Sequence, residues 1–210
     1  MRKSKAETAL TRKRIVQAAA QAFRSNGIQA TSVAEIMSAA GLTHGGFYRH
    51  FTSKEHLVAE ACAAGMQSTL LAIGAPEAAG GQAVVDSIGS CLWDTKRDDC
   101  LVECPLIGMG SELARADPGT RRAATRGYLE LIGSMAARDM SSQGAAIFAF
   151  SAIVGAVTIS RIVDDPQLAR RILDETKRHL AGSRPPRAAR REAAAAVPEV
   201  RAGADEDAAR

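Results

Sequence analysis

Between Asn26 and Glu55 the chain carries two helix stops and three helix starts, and this punctuation constrains its fold more than any other feature. Upstream, Thr11–Ser25 reads as an amphipathic helix, with Ile15, Ala19, Ala22 and Phe23 on one apolar stripe. Asn26-Gly27 stops it, because both residues tolerate the left-handed conformation that a helix end needs. Ser32-Val33-Ala34-Glu35 is a capping box, in which Ser32 caps and Glu35 reaches back. The helix it opens is short and buries Val33, Ile36, Met37 and Ala40 before Gly41 ends it, with Leu42 packing beyond the stop. Thr43 offers a cap for a third, very short helix, His44–His50. Thr52-Ser53-Lys54-Glu55 forms another capping box and opens a fourth, whose long apolar side holds Leu57, Val58, Ala61, Leu70 and Ile73. A short helix, a tight turn with glycine and a second short helix make a helix-turn-helix pattern.

The second short helix has the residues such a motif needs where it faces base edges. His44, Gly45 and Gly46 are small or polar and stand at its start. Phe47 and Phe51, four apart, point inward as anchors, which leaves Tyr48 and His50 to meet the backbone; Tyr48 as a core aromatic is the alternative. Adjacent glycines cost a helix about 1 kcal/mol each relative to alanine. Close approach to another surface explains that cost, and a poorly formed loop is the rival reading. Charge points the same way. Residues 1–60 carry nine basic and four acidic side chains, whereas 61–180 carry twelve and fourteen. An anionic partner is therefore expected at the N-terminal end. Arg2, Lys3, Lys5, Arg12, Lys13 and Arg14 crowd the first helix start against its dipole. They read as phosphate contacts or as a solvated basic arm.

The run Thr31-Ser32-Val33-Ala34-Glu35-Ile36, then Ala40-Gly41-Leu42-Thr43-His44-Gly45-Gly46-Phe47-Tyr48-Arg49-His50-Phe51-Thr52-Ser53-Lys54-Glu55, resembles the DNA-binding domain of TetR-type transcriptional regulators over roughly residues 8–60. Cap, turn glycine, aromatic-Tyr-x-His-Phe run and Ser-Lys-Glu all fall in order. The resemblance implies that Tyr48 and Lys54 touch phosphates, that Thr43 and His50 contact the backbone, and that His44 and Gly45 approach base edges. Gly46 departs from the pattern, since many members carry a hydroxyl or alanine there. Specificity then leans on His44, Arg49 and the shape of the duplex.

Further along, Val84, Val85, Ile88, Cys91 and Leu92 restore helical periodicity after Gly74, Pro76, Gly80 and Gly81. Pro105–Ala114 reads as a short helix. Asp117-Pro118 starts a longer one through Arg138, with Tyr128, Leu131, Ile132 and Met135 on one side. Ser141–Ser160 has no charged side chain and is apolar nearly all round. It is about the length of a membrane span, but its serines and threonine dilute it, and a buried interface helix is the stronger reading. Asp165-Pro166 starts the last helix, whose stripe is Leu168, Ile172, Leu173, Thr176 and Leu180. The resemblance implies that these last two helices pair with their mates in a homodimer, with Ile153, Gly155, Ala156, Leu168 and Ile172 as interface candidates. Trp93, Cys104, Met109, Tyr128, Met135 and Phe148 are the candidate ligand-pocket residues, although at helical spacing such groups also read as core.

Met1 to Lys5 leads into no apolar stretch, so no secretory signal is expected and a cytoplasmic setting follows. Four cysteines are too few for a disulfide scaffold. Cys100 and Cys104 read as buried thiols or as a redox or electrophile sensor, a role some TetR-type proteins assign to cysteines. Neither they nor the cluster His44, His50 and His56 completes a metal-ligand set, and no metal or cofactor is expected. No Ser/His/Asp set, carboxylate pair or cofactor loop supports an enzyme. The expectation is an all-α protein: a three-helix helix-turn-helix DNA-binding domain at 8–60, a helical ligand-binding and dimerisation domain at 61–182, and a disordered tail at 183–210. As a homodimer it would bind a palindromic operator in double-stranded DNA and repress until a small-molecule effector releases it.

Overall fold

The computed structural model describes residues 4–74, 104–138 and 142–182. All regular structure among them is helical. The expected helix at Val84–Leu92, Trp93, Cys100 and the expected tail lie outside the described residues.

Helix α1 spans Lys5–Asn26, six residues earlier than the apolar stripe suggests. A capping box explains the early start: the Ser4 amide donates to Glu7 Oε2 at 2.7 Å and the Glu7 amide to Ser4 Oγ at 3.1 Å. Gly27, at φ 85°, ends the helix as expected. Helix α2, Val33–Ala39, has the reciprocal Ser32–Glu35 box and buries Ile36 and Met37. It closes through Gly41 at φ 68°, with the Leu42 amide donating to the Met37 carbonyl at 2.8 Å and the Gly41 amide to Ser38 at 2.9 Å. That pair of bonds satisfies the last carbonyls of the helix. The segment His44–Arg49 is a 3-10 helix rather than an α-helix, and the Thr43 side chain does not cap it. Its length and its two glycines, which contribute no packing, suit the tighter form used in short pieces.

Helix α3 runs over Lys54–Gly74, continuous across position 60. Its cap is Ser53, whose hydroxyl accepts from the His56 amide at 3.2 Å, not the Thr52–Glu55 pair that the spacing suggests. His56 Nδ1 reaches back instead and lies 3.1 Å from the Thr52 hydroxyl. Where one short helix was expected there are two, α4 (Pro105–Gly108) and α5 (Gly110–Leu113), broken at Met109. Helix α6, Pro118–Arg138, is capped by Asp117, whose Oδ1 accepts from the Gly119 and Thr120 amides at 2.7 and 3.1 Å. Helices α7 (Gln143–Ile162) and α8 (Pro166–Gly182) complete the body.

One core runs through both halves. Ile15, Phe23, Ile36, Phe47, Phe51 and Leu57 fill its N-terminal part, and Met66, Leu131, Ile132, Met135, Phe150 and Ile153 the body. Four phenylalanines, Phe23, Phe47, Phe51 and Phe150, are its largest buried side chains, and aliphatic and methionine residues fill the rest. Helices α3 and α6 cross closely at Gly127, where a Cβ would stand 2.6 Å from Met66 Cβ. Helix α7 is long and apolar enough to cross a membrane by length and composition. Here it packs on α6 and α8 through Ala146, Ala149, Phe150, Ile153, Ala156 and Val157.

Candidate nucleic-acid interface

Two buried rings hold the 3-10 helix against α2 and α3. Phe47 and Phe51 are both almost fully enclosed, with ring centroids 5.6 Å apart. With those two facing inward, Tyr48 is turned out and 70% exposed, its ring edge-on to Phe47. Thr43, His44, Gly45 and Arg49 are also exposed, and His50 and Lys54 half-buried at the same end of the module. Gly46 rests beside Met37 and Thr43. Gly45 has nothing within 4 Å of the place a Cβ would take, and its φ is not in the left-handed region. Neither packing nor backbone geometry within this chain calls for glycine at 45.

The basic arm divides. The Arg12 guanidinium donates to Glu60 and to the His50 carbonyl, lies 3.3 Å from His56 Nε2, and sits 4.2 Å over the Phe51 ring. Arg14 donates to the Ala40 carbonyl at 2.7 Å, at the end of α2. Arg12 and Arg14 thus have partners within the module, which neither phosphate contact nor a solvated arm describes. Lys5 and Lys13 are exposed, and Arg2 and Lys3 lie outside the described residues.

In the body, a cleft of about 580 Å³ opens between α4, α6 and α7, lined by Leu106, Ala124, Thr125, Tyr128, Phe150 and Val154, with Ser151 and Gly155 completing it. Of the expected pocket residues, Tyr128 lines it. Cys104, Met109 and Met135 are buried in the core. Phe148 is 60% exposed on the outer side of α7, because two residues turn a helix by about 200° away from Phe150. The same phase argument turns two of the interface candidates inward. Ile153 and Ala156 are buried within their own chain, Gly155 lines the cleft, Ile172 is half-buried and Leu168 is exposed. The outer face of α7 presents Ile147, Phe148, Ile159 and Ile162 instead. They lie opposite the buried Ala146–Ala149–Ile153 stripe, which only the packing of α7 reveals.

Cys62 and Cys104 are buried free thiols. Burial pushes Cys62 up to about 11 and raises Cys104 as well. A sensing thiol needs the opposite shift and access to solvent. Among the described residues no three metal-ligating side chains gather.

A buried-aromatic helix-turn-helix set on a helical body defines the class of protein. Residues 15–61 match the family described as "Bacterial regulatory proteins, tetR family". The chain is 41% identical over 58 residues to the HTH-type transcriptional regulator TtgR of Pseudomonas putida, a stretch covering 28% of each. The alignable part thus spans little more than a quarter of that relative's length. In fold the likeness covers most of the chain. A TetR-family transcriptional regulator from Cytophaga hutchinsonii superposes with a TM-score of 0.69 at 20% identity, over 86% of this chain and 98% of that one. FadR from Bacillus subtilis, in complex with stearoyl-CoA, does so at 0.59 and 18%, over 80% and 96%. Residues 15–61 are thus similar to the N-terminal domain of TetR-type regulators, and the described helices share the fold of such proteins.

Proposed function

We propose that the chain is a cytoplasmic, non-enzymatic repressor that binds a palindromic operator as a homodimer and leaves it when a small molecule occupies the body. The outward surface Thr43–Arg49, held by two buried phenylalanines, carries this reading. His44 and Arg49 meet base edges, Gly45 and Gly46 let the helix backbone come close, and Thr43, Tyr48, His50 and Lys54 meet phosphates. Dimerisation through the outer faces of α7 and α8 sets two such surfaces about 34–36 Å apart, one turn of duplex. The cleft beside Tyr128 and Phe150 takes an effector that is mostly apolar with one or two polar groups, as its lining requires. The stearoyl-CoA complex of FadR supports a ligand in a body of this fold.

Selection of bound fragments from random duplex DNA by the purified protein tests this. A recovered palindrome is expected, with affinity falling steeply in salt, log K losing about 0.9 per phosphate contact. Lys54→Ala should weaken every sequence and flatten that slope by about one contact, whereas His44→Ala should relax base preference. Equal effects of both on all sequences would refute the division of roles.

A further inference from the structure

We infer that Glu112 is a positioning residue for DNA binding: its carboxylate latches the body onto the α1–α2 turn and holds the helix-turn-helix in its binding geometry. This inference rests on the proposed operator-binding function. Glu112 lies on α5, in the body, yet its two oxygens accept from two successive amides of the N-terminal module, Ile28 and Gln29, each at 2.9 Å. Such paired, charge-assisted bonds fix direction as well as distance. The turn they grip is tied onward. The buried Thr31 hydroxyl donates to the Gly27 carbonyl at 2.7 Å, immediately before the Ser32 cap of α2. Helix α2 in turn packs on the 3-10 helix that presents His44. Gly27 belongs to the same device. At φ 85° it suits glycine, and a Cβ there would come 3.1 Å from Glu112 Oε2, so a side chain would push the carboxylate off.

The latch is placed to be released. A carboxylate at the C-terminal end of α1 stands against the helix dipole, which weakens its hold. A cavity of about 280 Å³ beside it gives the side chain room to swing, and Lys54 and Arg115 on its wall offer other cationic partners. The α4–α5 segment that carries Glu112 also supplies Leu106 to the wall of the cleft. Filling the cleft pushes on Leu106, and Glu112 is six residues further along the same segment. Once released, the turn samples many orientations, and affinity falls with the fraction still competent to bind.

Amide exchange and operator affinity, measured on the full chain and on Glu112→Ala and Glu112→Gln, test the inference. Protection of the Ile28 and Gln29 amides is expected in the unaltered protein and should be lost in the alanine variant. Affinity for the selected duplex should drop at least tenfold with an unchanged salt slope, since no phosphate contact is removed. The glutamine variant keeps an oxygen acceptor at the same reach and should fall between, which covers the case that the alanine variant unfolds. Rapid exchange of both amides in the unaltered protein, or full operator affinity in variants whose amides have lost protection, would overturn the inference. Absence of any duplex bound by the unaltered protein would instead defeat the operator-binding reading, and the exchange result would still stand by itself.

Discussion

The guanidinium of Arg12 ties the first helix to the third: it meets Glu60, the His50 carbonyl and the face of Phe51 together. A planar cation with several donors suits that geometry, and an ammonium on a flexible stem does not. Arg12→Ala should lower unfolding free energy by about 1–2 kcal/mol, given partial exposure of the pair, and Arg12→Lys should recover little of it. Lys13→Ala, one residue on and exposed, should leave the urea midpoint unchanged. A larger loss for Lys13 than for Arg12 would contradict the assignment. Cysteine chemistry gives a second test at this scale. With both described thiols buried and raised, Cys62 and Cys104 should resist iodoacetamide at about pH 7.5 in the folded protein and react on unfolding in urea. Peptide mapping separates them from Cys91 and Cys100, and modification of folded Cys104 would revive the sensor reading. Charge and spacing alone did not distinguish Arg12 from Lys13, because the difference lies in partners 38 to 48 residues away.

Helix ends were the most legible elements, because their signals are local. Ser32, Glu35, Gly41 and Asp117 do what their residue types indicate, and Ser4-Lys5-Ala6-Glu7 carried the same signal unread, hidden by the apolar stripe that begins later. Internal form was less legible. The 3-10 geometry of His44–Arg49 has a local contribution in its length and two glycines, but the break at Met109 has no local stop signal. The caps also set a pH response. Bonds from Ser32, and in Asp117 from the Thr120 side chain and amide, hold both carboxyls below their ordinary range. Each is then more acidic folded than unfolded, so its stabilisation is complete above an unfolded value of about 4 and is lost as pH falls through the lower folded value. Burial raises the Cys62 thiol, so its contribution is intact below about 9 and fades as pH climbs towards 11. Urea midpoints should therefore be level from about pH 5 to 8 and decline on both sides. Glu35→Gln should shallow the acid limb, and an unaltered limb would show that this cap contributes nothing to it.

At the scale of the whole molecule, α7 is the element with an apolar face left uncovered within the chain. One side of it is used up inside the chain, by Ala146, Ala149, Phe150, Ile153 and Val157. The other leaves Ile147, Phe148, Ile159 and Ile162 exposed, and Ile162 is 75% open. Taken by helical phase these four fall within an arc of about 120°, an apolar stripe rather than scattered residues. Leu168, exposed at the start of α8, extends the apolar surface. The absence of charge in Ser141–Ser160 was legible in the sequence, but which side faced inward was not, since a helix apolar all round has no preferred phase until its neighbours are known. A second copy laid on the outer stripe would remove it from water. The two N-terminal modules would then be fixed relative to each other, as a two-half operator demands. Phe148→Asp with Ile162→Asp should accordingly give a monomer in sedimentation equilibrium with its helical content kept. The monomer should retain weak, salt-dependent binding to any duplex and lose the gain that two joined half-sites provide. The body's own core is untouched by these changes, so unfolding of the variant would mean that the stripe packs within the chain. A dimer that survives both aspartates would move the interface elsewhere and with it the spacing of the two reading surfaces.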